Sequence, residues 1–205
     1  MHTGRLEAFS DGVLAVIITI MVLELKAPHN APAVADLKPL LPLFLSYMLS
    51  FVYLSIYWNN HHRMLQVTER VSGAILWANL HLLFWLSLIP FVTAWWGENH
   101  FAPTPAALYG VVLLMSAIAY WILQQAILRA PGGNPVLASA VGRDRKGKLS
   151  PVIYGAAIPL SFFNQWIACG LYVLVALIWL IPDRRIERAF AGSGATSDGG
   201  QNDQR

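Results

Sequence analysis

One stretch limits what the whole chain can become. Arg5 to Lys26 reads Arg-Leu-Glu-Ala-Phe-Ser-Asp-Gly-Val-Leu-Ala-Val-Ile-Ile-Thr-Ile-Met-Val-Leu-Glu-Leu-Lys, with Thr19 the sole polar side chain between Val13 and Leu23. With its flanks, this apolar run reaches the ~20 residues that a bilayer crossing needs. On a helix of about 100° per residue, Phe9, Gly12, Val16, Thr19, Ile20 and Leu23 fall within roughly 60° of one line, while Asp11 lies roughly 140° away. If the Val16, Thr19 and Leu23 face lines a path, Asp11 points back into its own subunit and acts as an anchor rather than an ion ligand.

The rest of the chain is built from the same material. Of 205 residues, 56% are hydrophobic and 12% charged, against about 25% charged in soluble domains, so an all-α multi-span membrane protein is expected. A secretory signal is argued against by Glu7 and Asp11, which stand where such signals are basic, and by Glu24, despite the small-x-small Ala31-Pro32-Ala33. The single cysteine, Cys169, excludes an intrachain disulfide and makes a cysteine metal site improbable.

Six apolar segments are read, at about 8–26, 40–61, 72–97, 104–129, 150–163 and 166–182. The connector Ala27 to Pro39 carries Pro28, Pro32 and Pro39 and reads as an extended surface loop. Ser150 to Phe163, holding Pro151 and Pro159, is short for an upright span and reads as a short hairpin helix or a re-entrant segment. Residues 1–190 are taken as one transmembrane domain and 191–205 as a disordered tail. With the N-terminus inside, every Lys and Arg except Lys26 and Lys38 falls on the cytoplasmic side, so both termini are placed there, in the cell membrane. The net charge of +3 therefore reports topology and not nucleic-acid binding. Arg143, Arg145, Lys146 and Lys148 form a juxtamembrane patch suited to anionic lipid headgroups.

Polar residues inside the spans are the remaining candidates. Ser46, Ser50, Tyr53, Tyr57 and His61 recur every three or four residues, a face suited to interhelical hydrogen bonding. His61 and His62 diverge by ~100° on a helix, and no third ligand stands at a useful spacing, so a metal centre is not expected. One of them is expected to meet Asp11 or the backbone near Arg5. Asn79 and His81 lie within the third span. Trp95 and Trp96, before Gly97-Glu98-Asn99-His100, read as an interfacial belt. Nucleophile–base spacing is lacking, so an enzyme is not expected, and no cofactor is implied.

Three matches carry a family resemblance: Arg5 followed by Phe9-Ser10-Asp11, the Trp58-Asn59-Asn60-His61-His62-Arg63 stretch, and Leu86-Ser87-Leu88-Ile89-Pro90-Phe91. Together they resemble the transmembrane protein 175 family, potassium channels without the usual filter sequence. That resemblance implies a homotetramer whose first helices surround a central pore. It puts the family's constriction on Val16, its selectivity-associated threonine on Thr19 and a second apolar layer on Leu23, with Ile20 on the same face. Phe9, Ser10, Asp11 and Arg5, with His61, His62 and Asn79, are then expected to anchor that helix. The expected activity is passage of K⁺ and other monovalent cations through a hydrophobic gate; the alternative is a proton-coupled secondary transporter using Asp11 and the membrane histidines.

Overall fold

The computed structural model describes residues 3–28, 33–66, 68, 71–130 and 145–180. Its elements are helical: α1 (Thr3–Leu23), a 3-10 helix (Val34–Leu40), α2 (Leu41–Gln66), α3 (Gly73–Ser87), α4 (Ile89–Glu98), α5 (Pro103–Leu128), α6 (Arg145–Phe163) and α7 (Gln165–Leu180). Thr3–Leu23, Val34–Gln66, Gly73–Glu98 and Pro103–Leu128 are each long and apolar enough to cross a membrane. The third of these is the pair α3 and α4, broken at Leu88 beside Pro90. Proline brings no N–H to the ladder, and this is the kink its position implies.

Local signals set several boundaries. Ser72 caps α3 by accepting a bond from the Ile75 amide at 3.3 Å, which satisfies one of the orphan donors at a helix start. Pro103 opens α5, where a missing N–H costs nothing. Between α4 and α5, His100 and Phe101 take φ of 50° and 63°, a left-handed backbone unfavourable for residues with a Cβ. Phe101 is held there by burial, its ring edge-on to Trp96 at 5.0 Å.

Buried apolar residues of each described α-helix, from Leu6 to Ala176, form one contiguous cluster. Its polar stitching follows the expected α2 face. Ser46 Oγ reaches the Thr93 carbonyl at 3.1 Å, and Ser50 bonds both Thr93 Oγ1 at 2.7 Å and Tyr109 Oη at 2.9 Å. Tyr53 donates to the Tyr172 carbonyl at 2.6 Å, and Tyr172 in turn donates to the Ala106 carbonyl at 3.0 Å. In a bilayer these bonds satisfy groups that lipid cannot.

Five expectations need correction. The first helix starts earlier and ends at Leu23, with Leu25 and Lys26 in turns; the second runs on to Gln66, past the two histidines. The connector before α2 is not wholly extended, because Asp36 Oδ2 accepts from the Ala33 amide at 3.0 Å and starts the 3-10 turn. The segment read at 150–163 belongs to a 19-residue helix that begins at Arg145, so Lys146 and Lys148 of the basic patch stand on that helix. Finally, Trp96 is no belt residue: it is 1% exposed and stacked on Tyr109 at 4.7 Å. A pattern of adjacent tryptophans cannot tell which of two neighbours faces inward. Arg143, the Arg145 side chain and the 191–205 segment lie outside the described residues.

Candidate pore face and its anchors

Helix α1 packs on α2, α3 and α4 through Leu6, Ser10, Leu14, Ile17 and Met21, spaced by three or four. That stripe is the complement of the one singled out in the sequence. Phe9, Gly12, Val16, Thr19, Ile20 and Leu23 are all exposed, Val16 at 55% and Leu23 at 73%. The Thr19 hydroxyl donates to the Val16 carbonyl at 2.8 Å. Its proton is therefore spent within the helix, and its oxygen presents lone pairs outward, the polarity that suits a cation. Beside this face runs an open groove between α1 and α4, floored by Val13 and Ile17 and walled by Pro90, Phe91 and Trp95.

What fixes α1 in rotation is a set of polar contacts near its N-terminal end. Thr3 Oγ1 donates to the Thr68 carbonyl at 2.8 Å, tying the start of α1 to the chain just beyond α2. Further in, Asn79 Nδ2 donates to Ser10 Oγ at 3.0 Å and Asn79 Oδ1 pairs with His61 Nε2 at 2.7 Å. Ser10 and Asn79 are fully buried and His61 is 1% exposed. This chain links α1, α3 and α2 through one amide with both ends engaged, so no member can be removed without orphaning another.

Nearer the surface, Trp58 Nε1 donates to Asp11 Oδ1 at 3.0 Å, and His62 Nδ1 pairs with Glu7 Oε1 at 2.6 Å. The rings of Trp58 and His62 stack at 5.8 Å. Asp11 thus turns into its own subunit as its helical angle requires, but its hydrogen-bond partner is the Trp58 indole rather than a histidine. Arg5 is exposed and forms no ion pair among the described residues. The charged contact across to α2 at this level is made by Glu7. Sequence reasoning missed Glu7 and Trp58, although a signal was present. Glu7 and Asp11 are four apart on α1, Trp58 and His62 four apart on α2, and such pairs share a face.

Ligating atoms of Glu7, Asp11 and His62 lie within 4.8 Å of one another. The third group that sequence spacing did not show is thus supplied by another helix. Of these groups, Asp11 Oδ1 accepts from Trp58, and Glu7 Oε1 lies 2.6 Å from His62 Nδ1. His81, by contrast, accepts from Trp85 Nε1 of its own helix at 2.9 Å.

These features define a multi-pass membrane protein whose first helix is locked on one side and open on the other. The family model of the endosomal/lysosomal potassium channel TMEM175 matches residues 5–90. A potassium channel of Chryseobacterium sp. (strain P1-3) is 58% identical over 189 residues, covering 92% of this chain and 98% of that protein. A potassium channel of Chamaesiphon minutus is 31% identical over 194 residues, covering 88% and 94%. The crystal structure of a lysosomal potassium-selective channel TMEM175 homolog from Chamaesiphon minutus superposes with a TM-score of 0.76 at 30% identity, covering 87% of this chain and 96% of that one. The chain belongs to the TMEM175 family, and so to a class of channels rather than enzymes.

Proposed function

We propose that this protein is a potassium-preferring cation channel of the cell membrane, assembled as a homotetramer with both termini cytoplasmic and α1 of each subunit facing the central axis. The observation that carries this reading is the exposed Phe9, Val16, Thr19, Ile20, Leu23 face on a helix whose opposite side is fixed by buried polar contacts. Large apolar side chains alone would suit lipid. A threonine hydroxyl with its oxygen turned outward gains nothing from lipid, and it suits a cation path.

In this reading Val16 and Leu23, with Ile20 between them, form apolar rings that close the path by excluding water. An ion entering such a ring loses hydration that nothing replaces. The Thr19 ring, about one turn from each, returns part of that hydration through four hydroxyl oxygens and so favours the ion that gives up water more cheaply. The α1–α4 groove is continuous with this face and takes the flank of the neighbouring subunit. Residues 1–190 act as the channel domain, and Lys146 and Lys148 meet anionic headgroups at the membrane surface.

The test is a planar bilayer with unequal KCl and NaCl on its two sides. Cation-selective unitary currents are expected, larger in Val16→Ala because the ring widens. In Thr19→Ala the K⁺ to Na⁺ permeability ratio should fall by about fivefold, the equivalent of ~1 kcal/mol in K⁺ over Na⁺ preference for loss of the hydroxyl ring. Wild-type currents with unchanged size and selectivity in both variants would take the path off this face.

Asp11→Ala separates anchoring from conduction. It removes the carboxylate that Trp58 holds, at a cost of about 0.5 kcal/mol for an exposed bond to a charged group. Oligomer yield and open probability are expected to fall with the permeability ratio unchanged, and Trp58→Phe should reproduce most of the effect. A shifted ratio with intact oligomer and current would make Asp11 an ion ligand. The proton-relay alternative is weakened by the same geometry, since His81 is spent on Trp85 and His61 on Asn79.

A further inference from the structure

A second concavity lies away from α1, among α2, α5, α6 and α7, with a volume of about 330 Å³. This is about twice the volume of an engineered 150 Å³ cavity that takes up benzene, and within the range of sites for small ligands. Its interior is aromatic and apolar, built from Tyr53, Tyr57, Ala117, Tyr154 and Trp179. One end is polar, with Asn60, Gln124, Gln125 and Lys148. These residues come from the C-terminal parts of α2 and α5 and the N-terminal part of α6, so the mouth opens at the end of the bundle where α1 begins.

At that mouth Asn60 is turned back on its own helix, its Nδ2 donating to the Ile56 carbonyl at 2.8 Å, while the other polar groups are left available. Lys148 is exposed and has no acidic partner among the described residues. Gln124 and Gln125 form no side-chain hydrogen bond among them. Deeper in, Ser150 donates to the Lys146 carbonyl at 2.8 Å and accepts from Trp179 Nε1 at 2.8 Å, which holds the indole as one wall. A membrane protein thus presents a cation and two amides at the headgroup level, above an aromatic slot deep enough for hydrocarbon. Water would gain little in such a slot, and an uncharged ligand would leave the cation unused.

We infer that this cavity is a lipid site of the bilayer leaflet at that end, taking the end of one acyl chain of an anionic phospholipid, with the phosphate at Lys148 and the amides of Gln124 and Gln125 beside it. The site is separate from the α1 face and stands whether or not that face conducts.

Trp179 in the wall serves as reporter. The full-length protein is reconstituted in phosphatidylcholine vesicles holding a small fraction of a lipid brominated on its acyl chains, either phosphatidylglycerol or phosphatidylcholine, and tryptophan quenching is read. Brominated phosphatidylglycerol should quench at about fivefold lower mole fraction, the preference that one lysine near an anionic headgroup supplies. That preference should weaken in Trp179→Phe, which leaves Trp121 of the same lining as reporter, disappear in Lys148→Gln, and persist in Lys148→Arg. Ala117→Phe, which fills the slot, should abolish it while leaving the lysine in place. Equal quenching by the two lipids in the wild type overturns the site. So does a preference that survives Ala117→Phe, which would mean a headgroup resting on a surface lysine with no chain in the cavity.

Discussion

Gly97→Ala should destabilise the protein by about 2 kcal/mol, although alanine is the better helix former by ~1 kcal/mol. A Cβ at Gly97 would stand 2.5 Å from Ser46 Oγ and 2.6 Å from Leu43 Cα. Leu43 Cα is backbone and cannot turn aside, so α4 and α2 must separate at this level. The separation also strains the bonds from Ser46 and Ser50 to Thr93 one turn away. Gly155→Ala is the control, because nothing lies within 4 Å of a Cβ placed there, and helix propensity alone then favours the change. Melting in detergent followed by size-exclusion should put Gly97→Ala several degrees below wild type and Gly155→Ala at or above it. Equal melting temperatures would mean that α2 and α4 are not packed this closely.

The second large effect is expected at Asn79. Its amide gives a hydrogen bond to Ser10 and takes one from His61, and each of the three groups is buried. Asn79→Leu keeps the branched shape but leaves His61 without a partner for Nε2, while its Nδ1 already has none among the described residues. Stranding a buried polar group costs about 1–3 kcal/mol, and the reference state within a membrane trims this toward ~1–2 kcal/mol. Because the bond also sets the rotation of α1, the consequence should reach the pore face. Lower melting temperature together with altered current size and open probability is the expected result. A double variant, Asn79→Leu with His61→Leu, should recover part of the stability, since the stranded imidazole is gone. If Asn79→Leu melts and conducts like wild type, the network does not hold α1.

Much of the architecture could be read from the residues themselves. A bilayer leaves only helices and closed β-barrels to pair every backbone group, and continuous apolar runs of about 20 residues belong to the former, so they fix where the spans lie. The kink at Pro90 follows from a missing N–H. The exposed line on α1 followed from helical angle, because rotation by about 100° per residue is a property of any helix. The polar face of α2 likewise announced itself by spacing, and Ser46, Ser50, Tyr53 and His61 are buried as that spacing implies.

Tertiary structure alone decided the partners. The sequence shows that Asp11 must turn inward but not that it meets Trp58, since that bond joins residues 47 positions apart on helices whose relative rotation is set by packing. It shows two tryptophans at the end of a span but not that Trp96 stacks on Tyr109 in the core. It offers Glu7 as an acid one turn before Asp11, and only the approach of α2 makes it the partner of His62. Length, hydropathy and helical period act within one segment, so a sequence carries them openly. Which side chain meets which across a helix interface depends on how all the helices pack together, and no single stretch of chain contains that information.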